Sequence, residues 1–428
     1  MTGNDTRSAL LDVARSWRPR LLAERDRIEA LRRLPDDVAC DLAQAGFFRI
    51  LLPEAYGGLD LTPMQAMAVF EELARADASV AWCVWNGNTH WVTAQLPAET
   101  ARTIHASPAA ITANSTRASG RARVVDGGYR VSGRWALVSG CELASWQVLL
   151  AIVHEGDKPR LAASGAPETR FMLVPSAECA ILDTWTVGGL RGTGSHDVVV
   201  DDRFVPQSHA ASFTDPYVLA EPRYRIPPFS KVIPGLGAMA LGIACNAIET
   251  LIEIASEKVP QRTSQSLREN HGAQVRVSQA ESLVRSARLF LLDSLQQLWS
   301  ALLDGRGATM QARAQARLAA SLSVGNAVQA VDLMYAAAGA TALYATCPLE
   351  RAFRDVHAIT QHIGVNPREM ESTGRVLSGL ETDTPLLLSS GPRASRPIMI
   401  IRMSGGDARG PEDHDPSVAQ VETLRRLR

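Results

Sequence analysis

The chain has 428 residues, 46% of them hydrophobic and 21% charged, with 44 basic against 45 acidic side chains and a net charge of -1. That length exceeds one small core and sets an expectation of two or three packed units. The charge balance excludes a nucleic-acid tract or a basic membrane-surface patch as the main partner site and points to a small molecule.

From Asp5 to about Arg102 the pattern is helical. Apolar residues recur at helical spacing in "LLDVARSWRPRLLAERDRIEALRRL" and "PMQAMAVFEELARADASVAWCVW". Between them "LLPEAYGGLDLTP" carries a Gly-Gly turn, with Thr62 as the expected N-cap and Pro63 as the first helical residue. Near Pro108 the character changes to short β-branched or aromatic runs: "AAITANS", "YRVSGRWALVSG", "SWQVLLAIVHE", "TRFMLVP" and "HDVVVDDRFVP". "RVVDGGYRVSG" predicts a hairpin with an Asp-Gly turn. After "EPRYRIPPFSKVIPG", four long segments regain helical periodicity and predict an antiparallel bundle with oligomer contacts on its alanine-rich faces. The tail from about residue 404 is polar and glycine-rich.

Six cysteines, at 40, 83, 141, 179, 245 and 347, stand singly. Without a Cys-x-x-Cys pair the expectation is no metal centre, no disulfide framework and a reducing cytoplasm. The N-terminus lacks the uninterrupted apolar core of a signal peptide, and no apolar run is expected to approach the roughly 18 residues of a membrane span.

The stretch "GLRGTGSHDVVVDD", residues 189–202, invites three readings. It lacks the Gly-Lys-Ser/Thr end of a phosphate loop, and a strand rather than a helix follows it, which excludes a dinucleotide fingerprint. "GLGAMA" at 235–240 does match Gly-x-Gly-x-x-Ala, but follows a proline-rich linker instead of a strand. Ser195 and His196 are adjacent in an expected strand, so their side chains face opposite ways and cannot pair as nucleophile and base. His357 and His362, five apart on an expected helix, diverge too far to share a metal.

Helical block, β domain and helical bundle, in that order, carry three long strings that resemble the acyl-CoA dehydrogenase superfamily over residues 8–380. They are "YRVSGRWALVSGCELASWQVLLA", "FMLVPSAECAILDTWTVGGLRGTGSHDVVVDDRFVP" and "AAAGATALYATCPLERAFRDVHAITQH". The resemblance implies an α+β fold: an N-terminal helical domain over 1–108, a central β-barrel domain over 109–212, a C-terminal four-helix bundle over 213–385 and a tail over 386–428.

Acyl-CoA dehydrogenation needs a carboxylate to take the α-proton. The family's position for that glutamate falls on Ile363, and the alternative falls in "GLGAMALGIACN", which has no acid. Gln265 and Ser266 after Arg262 also replace the Phe-Gly of tight FAD binders. These departures, with the Ser-Gly of "GRWALVSGC" and His362 seven past Asp355, are similar to the two-component, reduced-flavin-dependent monooxygenases. That branch holds p-hydroxyphenylacetate hydroxylase oxygenases, dibenzothiophene monooxygenase, the hydroxylase of the steroid-degradation phenol and amino-sugar N-oxygenases.

The resemblance implies reduced FMN or FAD from a separate NAD(P)H:flavin reductase, dioxygen as co-substrate, and a C4a-hydroperoxyflavin that oxygenates a small aromatic molecule. Ser139 is then expected at the flavin N5, His362 as the group that polarises or deprotonates the substrate, and His90 and Asn114 on the substrate side. Trp135, Val138, Ser139 and Gly140 on one strand turn, and Trp185, Gly192 and Thr193 on the other, are expected around the isoalloxazine. Arg262, Gln274, Gly339 and Ala340 are expected to reach a neighbour's flavin, which implies a homo-oligomer, a tetramer by resemblance. The rival readings are an acyl-CoA dehydrogenase or oxidase with a relocated base, an amino-sugar N-oxygenase, and a catalytically idle assembly subunit.

Overall fold

The computed structural model describes residues 3–382 and Leu387, apart from Thr89 and Ala220, so the tail expected over 386–428 lies, except for Leu387, outside the described residues. Five helices come first: α1 (Gly3–Leu31), α2 (Asp36–Gln44), α3 (Pro63–Ala76), α4 (Ala78–Gly87) and α5 (Ala98–Ile104). Thr62 caps α3 as expected: its hydroxyl accepts from Gln65 N–H while the Gln65 side chain returns to the Thr62 N–H. Asp77 ends α3 and caps α4 through Val80 N–H, which sets the two helices at a corner.

The strands follow: β1 (Thr112–Val125), β2 (Gly128–Val138), β3 (Trp146–Glu155), β4 (Lys158–Pro159), β5 (Thr169–Pro175), β6 (Ala180–Leu182), β7 (His196–Pro206) and β8 (Ala210–Ala211). They form one mixed sheet in the order β6-β7-β2-β1-β3-β5-β8, with β4 beside β3. β1 runs parallel to β3, and the expected Asp-Gly hairpin joins β1 to β2 with Val125 opposite Gly128. Because β6 and β8 end the order unpaired with each other, the barrel is an open one.

Trp135 fills the concave interior of this sheet. Its ring is fully buried and its Nε1–H donates to the Leu150 carbonyl at 2.7 Å. A Cβ on Gly120 would lie 2.0 Å from that ring, so glycine there makes room for the indole. The expectation that Trp135 lines the flavin is therefore corrected: alternation along β2 turns it inward, where its polar atom already has a partner.

The C-terminal helices are α6 (Pro228–Val232), α7 (Pro234–Glu257), α8 (His271–Leu303), α9 (Met310–Ala338), α10 (Pro348–Ile359) and α11 (Pro367–Leu377). α7 packs between α3 and α9. A Cβ on Gly242 would meet the Glu71 carbonyl at 2.2 Å, so α3 and α7 approach at backbone distance only because that side chain is missing. The segment Pro228–Glu257 is long and apolar enough to cross a membrane, with a window hydropathy of 1.5, which corrects the reading that no run approaches a span. Of that window 83% is buried inside the protein, as for the central helix of a core.

Candidate active site

Where α4, the end of β2 and the segment after α10 meet, the structure gathers a set of aromatic and polar side chains. Trp82, Trp85 and Asn86 are spaced i, i+3, i+4 on α4 and share one face. Trp82 Nε1 donates to Ser139 Oγ at 2.9 Å, and Asn86 Nδ2 donates to the Ser139 carbonyl at 2.8 Å. Asn114 Nδ2 donates to Asn86 Oδ1 at 2.7 Å and to the Asn86 carbonyl at 2.9 Å, so Asn114 acts on Ser139 through Asn86.

The directions of the hydroxyl bonds follow from counting protons. Thr193 Oγ1 donates to the Leu190 carbonyl at 2.9 Å, and a carbonyl can only accept. With its one proton committed, Thr193 accepts from Ser195 Oγ, 2.7 Å away. Ser195 is then spent, so Ser139 donates to Ser195 across 2.7 Å. Ser139 Oγ has no proton left to give, and after accepting from Trp82 it keeps one acceptor position open.

The loop that carries Thr193 and Ser195 is fastened at several points. Leu190 takes a left-handed φ of 53° and buries its side chain in the helical core, while its N–H donates to Asp355 Oδ1 at 2.6 Å. A Cβ on Gly189 would lie 2.2 Å from the Arg354 carbonyl, and one on Gly192 would lie 2.1 Å from Ile28. Gly192 is thus a position where the loop packs closely on α1. Gly140 N–H donates to the Thr193 carbonyl at 2.8 Å, joining the loop to the end of β2. Trp185 closes the loop from outside by donating to the Leu190 and Arg191 carbonyls. His196 Nδ1 accepts from the Thr184 and Trp185 N–H groups, so Ser195 and His196 are bonded apart, as expected.

His362 does not lie on the helix where the periodicity places it. α10 stops at Ile359, and His362 sits in the turn that follows, its N–H bonded to the Ile359 carbonyl. Its ring meets Trp82 and Trp85 edge-on, with centroids 5.9 and 5.6 Å away. Burial against these indoles, with the charge of Arg317, pushes its pKa down to about 4, and the residue as a whole is half-buried. Gly364 N–H donates to Nδ1 at 3.0 Å, which places the proton of the neutral ring on Nε2. The next residue, Ile363, is 48% exposed and carries no proton-accepting group.

His90 lies elsewhere. It is buried under Phe48, Nε2–H donating to the Phe48 carbonyl at 2.9 Å, with its ring 4.9 Å from that of His105. Its expected place on the substrate side is corrected, because its proton is committed to the backbone and the side chain is only 2% exposed. Arg262, Gln274, Gly339 and Ala340 are all exposed on this chain. Near Gly339, Lys258 Nζ donates to Thr341 Oγ1 at 2.7 Å and to the Ala338 carbonyl at the end of α9.

Family models match both helical parts: acyl-CoA dehydrogenase N-terminal domain over residues 4–97 and C-terminal domain over 234–367. The chain is 32% identical over 360 residues to the flavin-dependent monooxygenase oxygenase subunit HsaA of Rhodococcus jostii, covering 82% of this chain and 92% of that protein. It is 31% identical to the indole-3-acetate monooxygenase of Pseudomonas putida, covering 87% and 92%. The crystal structure of 3-HSA hydroxylase from Rhodococcus sp. RHA1 superposes with a TM-score of 0.80 at 30% identity, covering 89% of this chain and 98% of that one. The chain belongs to the acyl-CoA dehydrogenase superfamily, in its branch of flavin-dependent monooxygenase oxygenase components.

The residues present fit a reduced flavin, which offers an N5–H donor on a flat apolar ring. Ser139 Oγ is an acceptor with its own proton spent. Leu137, on the β2 bulge between Trp135 and Val138, has a φ of 62° and exposes 49% of its surface two residues from Ser139. Leu137, Trp82, Trp85 and Asn86 were not singled out from the sequence. The i, i+3, i+4 spacing in "WCVWN" was the available signal for the α4 set, whereas nothing local marks Leu137 as outward-facing until the bulge is seen.

Proposed function

We propose that this monooxygenase hydroxylates a small aromatic substrate, taking reduced FMN or FAD from a separate NAD(P)H:flavin reductase and dioxygen from solution. The observation that carries the reading is the directed relay from Leu190 through Thr193 and Ser195 to Ser139, which leaves a hydrogen-bond acceptor where a reduced flavin presents a donor. Bound reduced flavin supplies the activation of dioxygen. Ser139 Oγ holds the N5 proton, so that it is not lost and hydrogen peroxide is not released. Leu137, Trp82 and Trp85 keep water from the ring, and Val138 and Gly140 set the backbone around Ser139. Asn114 is a positioning residue that acts through Asn86.

His362 supplies a neutral Nε2–H, which stabilises negative charge developing on oxygen as it is transferred and polarises an oxygen-bearing substrate. Of the two roles expected for it, polarisation and deprotonation, this tautomer performs the first. Arg262, Gln274, Gly339 and Ala340 are each exposed, with Lys258 near Gly339, and are assigned to contacts with a neighbouring subunit's flavin in a homotetramer. Relatives named for indole-3-acetate and resorcinol support the aromatic substrate class.

The test couples the purified chain to a flavin reductase and counts hydrogen peroxide against product with phenolic and indolic substrates. Ser139→Ala is expected to raise peroxide while flavin still binds, and His362→Ala to lower product formation. Bleaching of bound flavin by acyl-CoA thioesters, with no oxygenated product from any aromatic probe, would overturn the proposal.

A further inference from the structure

One part of the molecule is unexplained by the flavin chemistry. Phe229, Ser230, Ile233 and Pro234 at the α6–α7 junction face Arg313, Ala316 and Arg317 on α9 across a closed, narrow slot, with Leu387 at its edge. Arg317 is 4% exposed and pairs with the buried Glu369 at 2.9 Å. Arg313 has no recorded carboxylate partner among the described residues; its Nη1 donates to the Leu387 carbonyl at 2.8 Å. The Nε atoms of both arginines are buried without a hydrogen-bond partner among the described residues. Ser230, 8% exposed, adds a hydroxyl to the same wall.

Among the described residues, two guanidinium groups stand against one carboxylate, a net charge of +1 in a largely apolar slot. Arg317 is buried and Arg313 half-buried, and burial lowers the pKa of both, so an unanswered positive charge here is costly. A ligand that carries one negative charge would remove that cost and give the free Nε donors an acceptor. The slot adjoins the site already described. A Cβ on Gly364 would lie 2.4 Å from Ile233 Cδ1 and 3.0 Å from His362 Nδ1, so Ile233 is the wall shared by the slot and the His362 turn.

We propose that Arg313 and Arg317, with Ser230, form an anion subsite that holds the carboxylate of an aromatic acid whose ring reaches the His362 side. This rests on the monooxygenase reading and narrows its substrate to aromatic monocarboxylates. The single net charge suits a carboxylate better than a phosphate dianion. The slot is too tight for a water-sized sphere, so an entering ligand has to part its walls, and Arg313 can bind through Nε while Nη1 stays on Leu387.

The experiment is calorimetric titration of the protein, with and without anaerobic reduced FMN, using phenylacetate, indole-3-acetate and 3-hydroxybenzoate against their amides. For at least one pair the acid is expected to bind about 10- to 100-fold more tightly than the amide, as for a hydrogen-bonded charge. Arg313→Gln is expected to bring that ratio to about one, and Arg313→Lys to leave an intermediate value. Arg317 is left intact because its loss would strand the buried Glu369. Equal binding of acid and amide across the panel, or a ratio unchanged in Arg313→Gln, overturns the subsite. So does a loss in Arg313→Gln of FMN affinity relative to riboflavin with the acid preference intact, since the anion would then be the flavin phosphate. Acid-selective binding by a chain that forms no oxygenated product keeps the subsite and removes the monooxygenase reading instead.

Discussion

Replacing Ser195 by alanine tests the proton-counting argument at a residue that need not touch flavin or substrate. Ser195 is 3% exposed and lies 2.7 Å from both Ser139 Oγ and Thr193 Oγ1. Its removal leaves the Ser139 proton without an acceptor, so the hydroxyl can turn and present hydrogen where N5–H needs a lone pair. A buried hydrogen bond of this kind is worth about 0.5–1.5 kcal/mol net, and a stranded buried donor costs about 1–3 kcal/mol. If about 1–2 kcal/mol of that falls on the acceptor state of Ser139, peroxide leakage rises about 5- to 30-fold. The assay is hydrogen peroxide released per reduced flavin consumed, with flavin affinity measured alongside. Ser195→Thr keeps the hydroxyl and is expected to stay close to the wild type. Wild-type coupling in Ser195→Ala, together with strong leakage in Ser139→Ala, would show that hydroxyl direction does not matter and refute the relay.

His362→Gln keeps an N–H donor without a titrating ring; it is expected to retain more product formation than His362→Ala, and equal losses in the two variants would remove the donor role. Asp355 is buried, and its pKa is raised to about 7 from 3.8, chiefly by burial. Its folded value lies above its unfolded one, so the fold loses stability as pH rises from 3.8 through 7. Asp355→Asn, which still accepts from Leu190 N–H, should melt progressively higher than the wild type across that window; a constant difference would count against it. His90 shifts the other way, burial lowering it from 6.5 to about 4, so its contribution is complete above 6.5 and lost as pH falls to 4. The shift corresponds to about 3 kcal/mol as an upper bound, and His90→Gln should flatten the acid limb of the melting curve. Trp135→Ala should destabilise by about 3–5 kcal/mol through an open core, read by denaturant titration, without a specific loss of flavin affinity in the folded fraction.

Several residues of the candidate site were named before the fold. Ser139 and Thr193 could be named because they sit in strings that resemble a family, and His362 because it stands beside Ile363 where a proton-accepting acid is missing. Other expectations could not foresee the geometry, for a common reason. Trp135 and Gly192 lie in the right strings but face the sheet interior and α1, and a side chain's direction depends on which layer covers it. His90 was misplaced because a polar side chain in a helical block reads the same whether its proton serves a ligand or, as here, the Phe48 carbonyl.

Periodicity and turn chemistry by themselves determined the order of helical block, sheet and bundle, the Thr62 cap and the Asp-Gly hairpin, because those depend on neighbours within a few residues. Tertiary structure alone decided that α4, β2, the 189–195 loop and the turn after α10 converge, and hence which way each hydroxyl proton points. It also decided that the charge of Arg313 goes unanswered by any recorded carboxylate among the described residues. The physical reason is that a hydrogen bond needs its partner within a few ångströms: the bonds of Thr193 to Leu190 and Ser195 are local, but those of Ser139 to Trp82 and Ser195, of Leu190 to Asp355 and of Arg313 to Leu387 join distant parts of the chain.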